Sequence, residues 1–249
     1  MDRHPQVLPP YRSLFVVDVK DFNGREGSRH AELTKDIPQI LRLAFERAGL
    51  AQAWQQQRFH RHTGDGYFAG FDSAMLPLLL NPLLSALQDE LLYRNARGLA
   101  AGHGQPLRMR AAITVGPVTE FAKRPTGDRS GDAQIETHRL VDADPVRNLL
   151  TRSGDTTCLA AIVSERAYHD AVASGYSAER PDLYVPVEVE AKSYRSRAFL
   201  RVPSPSGELL AKGFVAAEPA GSAPARAPDE RRGATPTTST VLDKAYARR

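Results

Sequence analysis

The chain has 249 residues, of which 41% are hydrophobic and 25% charged, and its formal net charge at pH 7 is +4. This composition is typical of a soluble globular protein, and the charge is too small to indicate nucleic-acid binding without a clustered basic face. Cys158 is the only cysteine, so disulfide bridges and thiolate metal sites are excluded and a buried, inert thiol is expected.

Hydrophobic periodicity and glycine positions predict five elements in the first half of the chain. In order they are a buried central strand from Leu14 to Val19, a long helix over about residues 28–57, a hairpin of Arg58 to His62 and Tyr67 to Phe71, a helix over about residues 73–97 and a strand from Leu107 to Val115. Pro38 is expected near the start of the first helix, because proline is tolerated in a first turn.

The second half predicts a helix, a strand, another helix and a closing hairpin. They are Val141 to Ser153, Cys158 to Val163, a helix from Ser164, and the pair Tyr184 to Glu190 and Arg197 to Val202. After about Glu218 few large apolar side chains occur, so no packed core can form there. We therefore expect an N-terminal extension (1–12), a main domain (13–203) and a disordered tail (218–249).

No segment predicts a membrane association. The longest apolar stretch, from Met75 to Leu87, is interrupted by two prolines and is shorter than the roughly 20 residues that cross a bilayer. The segment from Met1 to Tyr11 has no long apolar core and is unlike a secretory signal. These features favour a cytoplasmic protein.

Two aspartates lie at positions where a carboxylate would be costly to the fold unless it had a function. Asp18 lies near the end of the first apolar run, and Asp65 lies in the Thr-Gly-Asp-Gly turn of the first hairpin. A buried carboxylate without a partner is costly, whereas two carboxylates from neighbouring strands can share divalent cations. The pattern therefore favours a site that binds a nucleoside triphosphate through metal ions.

Four patches, in this order, resemble the catalytic domain of the class III nucleotidyl cyclases over roughly residues 13–202. They are Phe15 to Phe22, Thr63 to Phe68, Leu107 to Val118 and Val146 to Arg152. The resemblance implies an α+β fold with a ferredoxin-like βαββαβ core, in which helices flank a central, mainly antiparallel sheet. It also implies that the main domain is a nucleotide-cyclising lyase.

The resemblance implies the roles of individual residues in that domain. Asp18, Asp65 and the backbone carbonyl of Val19 would hold two divalent metal ions, Mn²⁺ or Mg²⁺. Arg152 would stabilise charge on the reacting phosphorus, and Asn148 would orient the ribose.

Phosphate contacts are implied at two further places. Phe22, Asn23 and Gly24 would offer backbone N–H groups at a helix start. Lys192 matches a late phosphate-binding lysine of the family, and a solvated lysine at a strand edge explains it equally well. Arg108 and Arg110 share one strand face by alternation, and we expect them to face solvent or a dimer interface.

In the family, the metal-binding acids and the asparagine–arginine pair come from opposite subunits of a head-to-tail dimer. This chain carries both sets. The resemblance therefore implies a homodimer with two equivalent composite active sites.

Arg61 and Pro145 occupy the positions that read adenine in the family's adenylate cyclases, where a lysine and an acidic or hydroxyl side chain are usual. Arginine has only donors, and a proline side chain has neither donor nor acceptor. A base with carbonyl acceptors therefore suits this pair better than adenine. Uracil fits best, then cytosine or guanine, and Asp144 would replace Pro145 if the alignment shifts by one residue.

The altered base site and the small size resemble the stand-alone bacterial pyrimidine cyclases of antiphage defence. This implies a uridylate cyclase that makes cyclic UMP for a separately encoded effector protein. The alternatives are a cytidylate cyclase, an adenylate cyclase and a non-catalytic nucleotide-binding regulator. A palm-type polymerase relative is disfavoured, because it has no use for Asn148 and Arg152.

Overall fold

A single seven-stranded sheet organises the residues that the computed structural model describes, which are 7–24, 27–100, 105–119, 132–191 and 194–215. The strands are β1 (Tyr11–Val19), β2 (Phe59–His62), β3 (Gly66–Asp72), β4 (Met109–Pro117), β5 (Leu159–Ser164), β6 (Val185–Ala191) and β7 (Tyr194–Arg201). Their order in the sheet is β2-β3-β1-β4-β5-β7-β6. Only the pair β4–β5 is parallel among these strands. The predicted α+β class with a mainly antiparallel sheet is confirmed.

Helices cover both faces of the sheet. They are α1 (Gly27–Arg47), α2 (Ala51–Gln55), α3 (Leu76–Leu80), α4 (Leu83–Ala100), α5 (Asp132–Val141), α6 (Asp144–Arg152), α7 (Glu165–Tyr168) and α8 (Glu208–Lys212). One apolar cluster joins the sheet to α1, α3, α4 and α7, and a second joins it to α5, α6 and α8. No helix within the described ranges combines the length and the apolar character that crossing a bilayer requires.

The strand β1 lies inside the sheet and is buried from Ser13 to Val19. Phe15 and Val17 belong to the cluster on the α1 side, and Leu14 and Val16 belong to the cluster on the α6 side. Successive side chains of a strand point to opposite faces, so a strand covered on both faces is apolar throughout. This explains the continuous apolar run from which a buried central strand is predicted.

The long helix predicted over residues 28–57 is two helices. Gly49 has a φ of 73°, the left-handed conformation that ends α1, and the chain then continues as α2. Pro38 lies inside α1 and not near its start, so that expectation is wrong. The neighbouring side chains of Ile37, Ile40 and Leu41 are fully buried, and this packing offsets the lost backbone hydrogen bond.

The helix predicted over residues 73–97 is also divided, at Asn81 and Pro82, into α3 and α4.

Helix α5 is not predicted from the sequence. Its buried face includes the polar side chains of Gln134 and Thr137, which mask the apolar periodicity. The hydroxyl of Thr137 lies 2.6 Å from that of Thr114 on β4, so the buried hydroxyl groups satisfy each other.

The described residues all belong to a compact unit that extends to Ala216. Leu209 of α8 is buried in the second apolar cluster, beyond the predicted end of the main domain at residue 203. The tail predicted over residues 218–249 lies outside the described residues.

Cys158 immediately precedes β5 and is fully buried. Its Sγ accepts a hydrogen bond from Asn95 Nδ2 at 3.3 Å. Burial raises the pKa of the thiol above its ordinary value, so the group is protonated and inert at neutral pH, as expected for a buried thiol.

Gly66 permits the close approach of β3 to β1, because a Cβ at this position would clash with the backbone carbonyl oxygen of Val17. We predict that Gly66→Ala lowers the free energy of unfolding by about 1–3 kcal/mol, the usual cost of overpacking. Urea denaturation measures this change. Gly24→Ala is the matched control, since a Cβ there meets no atom within 4 Å; equal effects of the two substitutions would contradict the steric explanation.

Candidate active site

A cavity of about 680 Å³ opens at the end of β1. Its walls come from β1 and the turn that follows it, the β2–β3 hairpin turn, β4, α5, α6 and the loop between these two helices. Both sheet strands and helix faces contribute, so the cavity lies at the edge of the packed core.

Asp18 and Asp65 both line this cavity. The antiparallel register of β1 and β3 places Asp18 opposite Gly66, the residue after Asp65. The N–H of Val19 donates to the backbone carbonyl of Asp65 at 2.9 Å, which fixes the hairpin turn against the end of β1. The structure thus brings the two predicted metal-binding carboxylates to one site.

Arg110 lies next to Asp18 on the other side of β1. The register of β1 and β4 places the two residues directly opposite each other, and Arg110 Nη2 donates to Asp18 Oδ2. Both are buried, with exposed fractions of 9% and 8%. The sequence predicts that Arg110 faces solvent or a dimer interface. Solvent is wrong, because the strand face that carries it is covered by α5 and α6, and the dimer interface stays a prediction.

A row of alternating charges continues from this pair along the cavity wall. Arg110 Nη1 lies 3.9 Å from Asp142 Oδ1, and Arg147 Nη2 lies 3.0 Å from the same oxygen. Burial lowers the pKa of Arg110, and the charge of Arg147 lowers it further. Among the described side chains, Arg110 Nε is the buried polar atom that has no hydrogen-bond partner.

Arg108 is also buried, so of its two expected surroundings, solvent or a dimer interface, solvent is wrong too. Its Nη2 donates to the carbonyl of Leu150 at 2.7 Å and its Nε to the carbonyl of Thr157 at 3.0 Å. Leu150 lies in the last turn of α6, where carbonyl groups lack helical partners. These bonds of Arg108 hold the C-terminal end of α6 against the segment that leads into β4.

The donor groups at the cavity suit a hard cation. Asp18, Asp65 and the carbonyl of Val19 are oxygen donors only, as Mg²⁺ and Mn²⁺ prefer. In the described part of the chain, no group of three or more His, Cys, Asp or Glu side chains could hold a metal ion. Two carboxylates are nevertheless sufficient for Mg²⁺ when water and substrate phosphates complete the coordination.

The predicted phosphate-binding turn also reaches the cavity. Phe22 and Gly24 belong to a 3₁₀ turn and line the wall. The N–H of Gly24 donates to the carbonyl of Asp21 at 3.2 Å, so this group is already bonded within the turn. The side chain of Asn23 and all of Lys192 lie outside what the structure describes.

Arg61 lies on β2, outside the lining of the cavity, where it contacts α5. Its Nη2 donates to His138 Nε2 at 2.9 Å, and its guanidinium lies 5.1 Å from the ring centre of Phe68. His138 lines the cavity. Desolvation lowers the pKa of His138, and the charge of Arg61 lowers it further, whereas Asp142 raises it.

The residues of α6 lie on two different faces of the helix. Arg147 and Thr151 line the cavity, whereas Asn148 and Arg152 lie outside its described lining, as does Pro145 in the first turn. Asn148 is exposed. The structure therefore does not bring these two predicted catalytic residues to the carboxylates of their own chain.

Arg152 is bound by the segment that contains α8. Its Nη1 and Nη2 donate to the carbonyls of Phe214 and Gly213 at 2.9 and 2.8 Å, and its Nε lies 3.7 Å from Glu208 Oε2. The guanidinium thus has three partners within its own chain.

Arg110 and His138 line the cavity but are not predicted as site residues from the sequence. The position of Arg110 opposite Asp18 follows from the register of β1 and β4. These strands are far apart in the sequence, so no local sequence pattern reveals it. His138 lies on α5, whose apolar pattern is interrupted by the buried polar side chains of Gln134 and Thr137.

Comparisons with known proteins identify the fold. No protein-family model and no curated protein matches the chain. A bacterial light-regulated adenylyl cyclase aligns with a TM-score of 0.51 and 14% identity, over 83% of this chain and 95% of that chain. Another structure of a bacterial light-regulated adenylyl cyclase aligns with a TM-score of 0.50 and 11% identity, over 79% of this chain and 53% of that chain. The predicted cyclase fold is confirmed.

We predict that Arg61→Gln raises the pKa of His138, because the substitution removes a neighbouring positive charge. Since the folded-state pKa is below the unfolded value of about 6.5, the unfolded chain binds more protons and stability is lost as the pH falls below that value. The variant should lose less stability over this range. NMR titration of the imidazole signals measures the pKa. Arg42→Gln on α1, whose arginine pairs with Glu46, is the control. An unchanged pKa in Arg61→Gln would disprove the coupling.

Proposed function

We propose that the protein is a class III nucleotidyl cyclase that converts UTP into 3′,5′-cyclic UMP and pyrophosphate. The observation that carries the proposal is the meeting of Asp18 and Asp65 in one cavity of a cyclase fold. In this reaction the ribose 3′-oxygen loses its proton and bonds to the α-phosphorus. The bond from that phosphorus to the bridging oxygen breaks, and pyrophosphate leaves.

Asp18, Asp65 and the carbonyl of Val19 are the proposed ligands of two divalent ions, Mn²⁺ or Mg²⁺. When bound, such ions lower the pKa of the 3′-hydroxyl and neutralise the triphosphate and the departing pyrophosphate. Lys20 and Arg110 line the same cavity and add positive charge for the phosphates. The turn from Phe22 to Gly24, with Lys192, is proposed to complete the phosphate site.

The proposed active form is a homodimer with two composite sites. Asn148 and Arg152 lie away from the cavity of their own chain, so they would act on a nucleotide held by Asp18 and Asp65 of a second chain. There Asn148 would orient the ribose and Arg152 would stabilise charge on the phosphorus. Arg152 must first leave the carbonyls of Gly213 and Phe214.

The proposed base is uracil, read by Arg61 and Pro145. Arg61 donates to His138, which lines the cavity, and a carbonyl acceptor of a pyrimidine can replace that ring nitrogen. Cytosine is the next candidate, followed by adenine. The proposed role is second-messenger synthesis in bacterial antiphage defence, with a separate effector that binds the cyclic nucleotide; this role is supported by the sequence resemblance.

We predict that the purified protein, supplied with Mn²⁺ and each of the four ribonucleoside triphosphates in turn, forms cyclic UMP fastest. Mass spectrometry identifies the product and pyrophosphate release gives the rate. Asp65→Asn should lower kcat/KM by at least about a hundredfold, a loss typical of removing one electrostatic contact to a transition state.

Asp89→Asn, at an exposed position on α4, is the control and should retain full activity. Formation of no cyclic nucleotide from any triphosphate, by a folded protein that binds nucleotide, would favour a non-catalytic regulator. Preference for ATP would refute the assignment of Arg61 and Pro145.

We also predict that two inactive variants restore each other's activity. When equal amounts of Asp65→Asn and Arg152→Met chains exchange subunits at random, half of the dimers are mixed and each mixed dimer has one intact site. The expected rate is about one quarter of the wild-type rate. Mixing Asp65→Asn with Asp18→Asn is the control, because both substitutions damage the same half-site. If the first mixture stays as inactive as the control, the composite site is wrong.

A further inference from the structure

We propose that Arg110 is a replaceable counter-ion of Asp18. The guanidinium holds this carboxylate when no divalent cation is bound, and a cation that binds Asp18 must displace it. The inference rests on the proposed metal role of Asp18, and it assigns to Arg110 control over how tightly the free protein binds the cation.

The geometry makes the two partners compete for one carboxylate. Arg110 Nη2 donates to Asp18 Oδ2, and both residues are more than nine-tenths buried. A second positive charge in this confined place would repel the guanidinium strongly, since electrostatic interactions are little screened below the surface. Cation binding and the Asp18–Arg110 contact therefore compete for the charge of one carboxylate.

Comparison with Arg108 indicates that Arg110 does not serve mainly to hold the fold together. Arg108 immediately precedes β4, two residues before Arg110, and uses both Nε and Nη2 for bonds to backbone carbonyls. Arg110 Nε, in contrast, is buried and unpaired within the described part of the chain. Structural buried arginines normally satisfy their donors, because each unpaired donor costs free energy. Arg110 leaves one donor unpaired, so Asp18 is the main partner that holds it.

A position for the displaced guanidinium already exists. Asp142 Oδ1 lies 3.9 Å from Arg110 Nη1, whereas Asp18 is bonded to Nη2. Asp142 is exposed and also pairs with Arg147, so it can exchange partners with little reorganisation. Movement of Arg110 towards Asp142 keeps the buried charge compensated while Asp18 takes a cation.

The test is Mn²⁺ binding to the full-length protein without nucleotide, measured by electron paramagnetic resonance of the free ion. Arg110→Met should bind Mn²⁺ about tenfold or more tightly than the wild type, because the competing cation is gone. Arg147→Met is the matched control. It removes one positive charge from the same cavity without freeing Asp18, and a change below about threefold is expected for this more exposed charge.

Two outcomes separate this inference from the proposed function. If Arg110→Met binds Mn²⁺ no more tightly than Arg147→Met, the counter-ion role is refuted while the cyclase proposal stands. If Asp18→Asn binds Mn²⁺ as the wild type does, Asp18 is not a metal ligand, and both the metal site and the counter-ion role fail.

A measurement on the wild type keeps the inference testable if Arg110→Met does not fold. The side-chain NMR signal of Arg110, assigned by its absence from Arg110→Lys, should shift when Mg²⁺ is added to the wild type. The same signal should stay unchanged in Asp18→Asn. No shift in the wild type at saturating Mg²⁺ would show that the contact persists, and would overturn the inference.

Discussion

The register of β1 with its two neighbours is the constraint on which the site depends. It places Asp18 opposite Gly66 on one side and opposite Arg110 on the other. A carboxylate at this point is enclosed by backbone on both sides, so its charge must be balanced by a side chain or an ion that reaches the end of the strand. A slip of one residue in either pairing would turn Asp18 to the opposite face of the sheet.

The sequence predicts those parts of the fold and site that local patterns encode. The apolar run of β1 and the Gly-Asp-Gly turn place Asp18 and Asp65 correctly at the ends of two strands, and the cyclase fold follows from the order of the motifs. Helix α5 is missed because polar side chains occupy part of its buried face. Arg110 is misjudged because its surroundings come from α5 and α6, which are distant in the sequence, and because charged residues are rarely buried unless they are paired.

Helix α6 shows how one short element can serve two surfaces. Arg147 and Thr151 are four residues apart and share one face, which lines the cavity. Asn148 and Arg152 have the same spacing but are rotated by one residue, about 100° around the axis, and they lie outside that lining. Asn148 on this second face is exposed and accessible to a second copy, as the proposed composite site requires, whereas Arg152 is held by the segment that contains α8.

The protected state of Cys158 has a practical consequence. The thiol is fully buried, and its raised pKa keeps the reactive thiolate scarce at neutral pH. A cysteine engineered onto the surface would therefore react with maleimide dyes or spin labels without interference from the native one. Fluorescence energy transfer between chains labelled in this way would report their association directly, in an otherwise unaltered sequence.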